Sequence, residues 1–293
     1  MSVPPPAGPP PAPRPLLKVC GATRSEEAAA VGARADLVGL WYGVEGGAHD
    51  LPDAAVPELA DAVRAGGRAE PVLVTFLHDA DRLARVARAA RVRWLQLHAY
   101  QPPGAVAALR TALPDATLVK AVHVLDGRCV ERPFLGAYAR AGTDLFLVDA
   151  ATPGGGVGST GHRLPPGALE PLLPALGLPF LLAGGLTEAD AARGPALGAH
   201  PGFRGVDVDS AARGDDGLLS AHRVAALDRA WTGPDRGAGS PLGIRVGAGP
   251  GTARSGTAGS RGPAPVRTAH PAWAPGPTGT PRRHPTTLRG NPT

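Results

Sequence analysis

The feature that most constrains this chain is an alternation: eight short apolar runs, each followed by a stretch of helical character. The runs are Leu16–Cys20, Asp36–Trp41, Pro71–Phe76, Arg93–His98, Ala116–Val122, Asp144–Asp149, Pro179–Gly184 and Gly202–Asp209. Most are dense in Val, Leu and Phe at successive positions, not alternate ones. Such strands need cover on both faces, as in a parallel sheet wrapped by helices. The segments between them are Ser25–Ala33, Asp53–Ala65, Asp79–Ala90, Pro103–Leu113, Glu131–Ala141, Pro166–Ala175, Thr187–Leu197 and Leu218–Trp231. Most open on Ser, Thr, Asp or Pro, residues suited to the first turn of a helix. Parallel strands with crossover helices either stay open as a doubly wound sheet or close on themselves. Eight units within roughly 215 residues predict closure into a (β/α)8 TIM barrel, for which about 250 residues is typical.

Composition marks where the barrel stops. Residues 1–15 are mostly Pro, Ala and Gly, and residues 233–293 are rich in Gly, Pro, Thr and Arg without apolar periodicity. Neither stretch offers enough apolar surface to offset chain entropy, so both read as disordered extensions flanking a barrel at 16–232. The net charge of +5 divides the same way: the tail carries eight Arg and one Asp, leaving −2 for the rest. The basic tail is read as compositional bias, since 28 of the 30 basic residues are Arg, and not as a specific nucleic-acid contact. Two cysteines, Cys20 and Cys129, form neither a disulfide framework nor a CxxC metal pair. With no secretory leader and no apolar run of membrane-spanning length, the expected setting is the reducing cytoplasm.

In a (β/α)8 barrel, chemistry gathers at the C-terminal strand ends and the loops that follow. There this sequence places Cys20, His49, Asp50, His78, His98, His123, Asp149, Gly184, Gly185 and Asp209. Taken alone, Cys20 reads as a small buried apolar side chain. Lys18 is expected to have little direct effect on it, because residues two apart on a strand sit ~6.6 Å apart.

The motifs are more specific in combination. Lys18-Val19-Cys20-Gly21-Ala22-Thr23, Gln96-Leu97-His98 and Val119-Lys120-Ala121 come first. Asp149 follows with Thr152-Pro153 and Gly158-Ser159-Thr160-Gly161, then Leu182-Ala183-Gly184-Gly185-Leu186 and Val206-Asp207-Val208-Asp209-Ser210. In this order, at the ends of these strands, they resemble the phosphoribosylanthranilate isomerase family of tryptophan biosynthesis. The resemblance implies an intramolecular oxidoreductase that converts an N-glycosidic aminoaldose into an aminoketose by Amadori rearrangement, with no cofactor and no metal. It implies Cys20 as general base and Asp149 as general acid, and a phosphosugar substrate in a monomer or homodimer. Such a base needs a lowered thiol pKa and such an acid a raised carboxyl pKa.

For substrate binding the resemblance points to His98, Lys120, Gly158, Gly161, Gly184, Gly185 and Ser210. His98 is either an acid–base group or a ring shaping the pocket. Lys120 is expected to point into the barrel interior or mouth, tuning the site or forming an interior ion pair. Gly184 and Gly185 suit close backbone approach to a phosphate, and Gly158–Gly161 a flexible lid, an extra phosphate contact or an ordinary mobile loop.

Two departures stand at the ends of the implied substrate. Ala48 replaces an arginine expected to grip the anthranilate carboxylate, with His49-Asp50 beside it, and Asp209-Ser210-Ala211 stands where the family has Ser-Ser-Gly. No other side chain offers the planar fork of arginine. Two other readings therefore stay open: a diverged barrel using the same acid–base pair on a different substrate, and a barrel that binds a metabolite without turnover.

Overall fold

The computed structural model describes residues 14–153, 156–158, 162–165, 167–193 and 197–233. Most of both predicted extensions, and Gly161, lie outside the described residues. Arg14, two residues before the predicted barrel start, is paired with Asp36.

Eight parallel strands close into a barrel: β1 (Leu16–Cys20), β2 (Leu37–Trp41), β3 (Glu70–Thr75), β4 (Trp94–Leu97), β5 (Thr117–Leu125), β7 (Leu145–Ala150), β8 (Phe180–Leu182) and β9 (Phe203–Val208). The order β4-β3-β2-β1-β9-β8-β7-β5 is completed by pairing of β4 with β5. The remaining strand, β6 (Arg128–Cys129), is a short antiparallel return on the end of β5. This hairpin was not legible as a strand pair, and it extends β5 three residues beyond the apolar run. It turns through Asp126 and Gly127, both at positive φ.

Alternation along the strands separates two apolar layers. Leu17, Val19, Val38, Leu40, Leu73, Leu95, Leu118, Val122, Phe146 and Val148 face outward to the helices. Leu16, Leu37, Val72, Val74, Trp94, Val119, Ala121, Leu145, Leu147 and Leu181 fill the barrel interior, with Cys20 and Trp41 at its upper edge. Gly205 lies where β9 crosses close to β1: a Cβ there would stand 2.0 Å from the Leu16 carbonyl oxygen. A register irregularity between β8 and β9 accompanies that approach.

Helices α1 (Ser25–Gly32), α2 (Ala55–Ala65), α3 (Ala80–Ala89) and α4 (Pro103–Ala112) follow the predicted segments closely. Asp79 caps α3 by accepting from the Arg82 amide at 2.9 Å. Helix α1 starts at Ser25, and the Glu27 carboxylate reaches back to accept from the Arg24 amide at 2.9 Å and the Thr23 hydroxyl at 2.8 Å.

Later helices are shorter than predicted. Glu131–Ala141 divides into a 3-10 turn at Arg132–Phe134 and α5 (Leu135–Arg140). In place of a helix over 166–175 there is only α6 (Leu173–Leu176), since Pro171 and Pro174 lack the amides an earlier helix needs. In the segment after β8, Glu188–Arg193 is a 3-10 stretch, and residues 194–196 of the predicted helix lie outside the described residues. Helix α7 (Ala221–Thr232), capped by Ser220, completes the ring. No helix among the described residues is long and apolar enough to cross a membrane.

At the bottom of the barrel, buried Asp36 accepts from the Leu17 amide at 2.9 Å and from the guanidinium groups of Arg14 and Arg68. Burial works to raise its pKa, but these donors outweigh it and hold the carboxyl below its ordinary value.

Candidate active site

A cavity of about 370 Å³ opens at the C-terminal strand ends, within the size range of small-molecule sites. Its wall includes Cys20 and Asp149 together with His98, Gly158, Gly184, Gly185 and Ser210. Every described candidate except Lys120 therefore meets at one place.

Lys120 is a correction. Its neighbours Val119 and Ala121 face the barrel interior, so its own side chain leaves on the opposite face of β5. There it is fully buried, donates to the Ala99 carbonyl at 2.7 Å and lies over the Tyr138 ring at 5.3 Å. Burial lowers its pKa to about 8. The expectation of a mouth lysine rested on motif order and missed the strand's alternation.

Cys20 ends β1 with its sulfur pointing inward. The Lys18 ammonium lies 3.3 Å from Sγ and the Trp41 indole N–H donates to Sγ at 3.1 Å. This corrects the expectation for Lys18. Residues 18 and 20 share the inner face, and a four-carbon stem spans what their backbone spacing does not. Lys18 also donates to Asp207 Oδ2 at 2.7 Å, across the β1–β9 pairing in which the two residues are register partners. Burial opposes the charge on Lys18, but Asp207 and Cys20 together push its pKa upward.

The proton inventory is the reverse of what a ready base and acid need. Burial pushes the Cys20 thiol up to about 12, against the opposing influence of Lys18. Asp149, on β7, experiences burial that would raise its pKa, but the His98 and His123 rings and the Ala150 amide outweigh it and hold the carboxyl below its usual value. The thiol therefore holds the proton and the carboxylate is bare. His98 Nε2 stands 3.2 Å from Asp149 Oδ2, within ion-pair distance but without hydrogen-bond geometry. The His98 ring is fixed from behind by Gln96, 2.7 Å from Nδ1, and stacks on Phe76.

Opposite Cys20 and Asp149, the loops after β8 and β9 supply backbone. Gly184 and Gly185 both adopt positive φ and line the cavity. Ser210 opens a 3-10 turn, Ser210–Ala212, in which Ala211 needs no positive φ. Asp209 is directed into an ion pair with Arg213 Nε at 2.7 Å, so the acid added at this end carries its own counter-charge. Arg213 also donates to the carbonyls of Cys20 and Gly21, tying the loop after β9 to the end of β1.

At the other departure, Ala48 is exposed and does not line the cavity, whereas His49 does, edge-on to Trp41. Burial and the nearby Arg213 lower the His49 pKa, so it stands there as a neutral ring. Asp50 is used locally, accepting from the Val44 amide at 3.0 Å. His78 is exposed and outside the cavity, and His123 is buried beneath it, paired with Glu131 at 2.6 Å.

Sequence reading missed Lys18, Trp41 and Asp207 as parts of this site. For Lys18 and Asp207 the signal was available: charged residues inside otherwise apolar strands.

A closed parallel barrel with a thiol and a carboxylate in a cavity at its C-terminal mouth defines a (β/α)8 protein with an enzyme-type site. No family model matches the chain. It is 37% identical over 219 residues to the N-(5'-phosphoribosyl)anthranilate isomerase of Afipia carboxidovorans, covering 73% of this chain and 88% of that one. To the enzyme of the same name from Rhodopseudomonas palustris it is 35% identical over 232 residues, covering 75% and 97%. Among solved structures, TrpF from Jonesia denitrificans aligns with a TM-score of 0.56 at 26% identity, over 75% of this chain and 97% of that one. Phosphoribosyl anthranilate isomerase from Thermus thermophilus has the same fold, with a TM-score of 0.59 at 23% identity over 73% and 97%. The chain belongs to the phosphoribosylanthranilate isomerase family.

Proposed function

We propose that this protein isomerises N-(5'-phosphoribosyl)anthranilate by Amadori rearrangement in tryptophan biosynthesis, acting in the cytoplasm. The observation that carries this reading is the meeting of Cys20 and Asp149 in one mouth cavity, in a chain of this family. Asp149 donates a proton to the ribose ring oxygen, the C1–O bond breaks, and a Schiff base to the anthranilate nitrogen forms. Cys20 then takes the C2 proton, giving an enolamine that tautomerises to the ketone. The two roles call for one donor and one acceptor around the bound sugar.

The pair holds one proton in either arrangement. Moving it from sulfur to carboxylate creates the reacting form, and Lys18 and Trp41 then stabilise the thiolate with a charge and an N–H. The phosphate goes over Gly184, Gly185 and Ser210, at the loops after β8 and β9 where barrels of this kind often bind one, with Gly158 on the same cavity wall. His98 shapes the pocket and sets the charge state of Asp149. The active unit is a monomer or homodimer.

A second reading keeps the same acid–base pair for a different substrate. It is favoured by the position of Ala48 outside the cavity and by the engagement of Arg213 with Asp209 and backbone carbonyls. One assay separates the two. Phosphoribosylanthranilate turnover, abolished in Cys20→Ala and in Asp149→Ala, supports the first. An inactive wild type that gains turnover in Ala48→Arg supports the second.

A further inference from the structure

The cavity wall holds one acceptor that the described protein leaves without a donor. Asp207 is almost completely buried, and its Oδ2 takes the Lys18 ammonium at 2.7 Å, but its Oδ1 has no hydrogen-bond partner. A buried carboxylate oxygen left this way is costly unless something that enters the site donates to it. The other acids on the wall are already served: Asp149 by the Ala150 amide and Asp209 by Arg213.

Lys18 fixes where Asp207 lies relative to the chemistry. The same ammonium touches Cys20 Sγ and Asp207 Oδ2, so thiol and carboxylate stand side by side on adjacent strands. Resting on the reading of Cys20 as the group that takes the C2 proton, the sugar carbon beside the sulfur is C2. That carbon carries a hydroxyl as well as the proton. With the proton directed at sulfur, the hydroxyl leaves C2 at the tetrahedral angle to it, and a side chain beside the sulfur lies within its reach.

We infer that Asp207 is a specificity-determining residue whose Oδ1 accepts a hydrogen bond from the C2 hydroxyl of the phosphosugar. Sites built to bond a substrate hydroxyl reject analogues that lack it far more strongly than apolar pockets reject a missing methylene. The contact also orients C2, presenting its proton to Cys20.

The test compares two stable ligands by calorimetry. One is reduced 1-(o-carboxyphenylamino)-1-deoxyribulose 5-phosphate, a ligand bound in one solved structure of similar fold. The other is the same molecule with fluorine replacing the C2 hydroxyl, which has no proton to donate. Wild-type protein should bind the fluoro ligand at least roughly tenfold more weakly. In Asp207→Asn the Lys18 ammonium claims the amide oxygen, leaving an N–H to face the cavity, so the gap between ligands should close. Asp207→Ala should close it as well. Equal binding of both ligands by the wild type, or a gap that persists in either variant, overturns the assignment of Asp207. Failure of the wild type to bind either ligand overturns the functional reading itself, and the assignment with it.

Discussion

The sulfur of Cys20 is held in place partly by what its neighbour lacks, and Gly39→Ala tests whether its position matters. Gly39 faces Cys20 across the β1–β2 pairing. A Cβ built on it would lie 2.5 Å from Sγ and 3.2 Å from a Val74 methyl. Carbon and its neighbours settle at about 3.5 Å or more, so the sulfur must retreat by about 1 Å. That displaces it from Lys18, from Trp41 and from the bound sugar together. A misplacement of this size costs about 10²-fold in rate. The expected result is kcat lowered about a hundredfold with KM little changed, because the sulfur is not a principal binding group. Overpacking should also cost about 1–3 kcal/mol of stability, read as a drop of several degrees in melting temperature. Gly104→Ala is the control, since that glycine is exposed in α4 and nothing lies within 4 Å of its added carbon. If Gly39→Ala folds and keeps kcat within about threefold, under 1 kcal/mol of barrier, the argument from sulfur position is refuted.

Two further outcomes follow from the protonation states. Because the thiol and carboxylate share one proton, the fraction in the reacting arrangement does not change with pH between their two pKa values. The kcat/KM profile should therefore be flat through neutrality, falling only below the ordinary carboxylate range and toward about pH 12; a bell centred near neutrality would place a third group, with His98 nearest, in the proton transfers. For stability, the folded pKa of Asp36 lies below its unfolded value, so its contribution is present above the unfolded pKa and lost as pH falls through the folded one. Asp36→Ala should cost about 3 kcal/mol in neutral denaturant titrations, with the difference from wild type shrinking below about pH 4; a constant difference across that range would show that charge is not its basis.

The barrel was legible because its strands are covered on both faces and therefore announce themselves as unbroken apolar runs. Helix lengths were legible where an amphipathic stretch carried no proline beyond its first turn, as in α2 and α3, and illegible over 166–175, where Pro171 and Pro174 interrupt it. Cys20 and Asp149, the proposed acid–base pair, could be placed at strand ends from motif order. What motif order could not supply was which face of a strand a side chain takes. Lys18 lies between outward-facing Leu17 and Val19 and points inside with Cys20, whereas Lys120 lies between inward-facing Val119 and Ala121 and points out. The proton inventory was equally hidden, since it depends on burial and on rings from β4 and β5 brought against Asp149 by closure.

The Lys18–Asp207 ion pair joins residues 189 positions apart in the chain. It sits on the seam where the first strand meets the last. Until that seam closes, Cys20 has no ammonium beside it fixed by a carboxylate, and Asp207 is not held at the cavity wall. Catalysis thus reports on the completed ring alone. During refolding, helical signal should return before activity, and the recovery of turnover should time the final zipping of the first strand against the last.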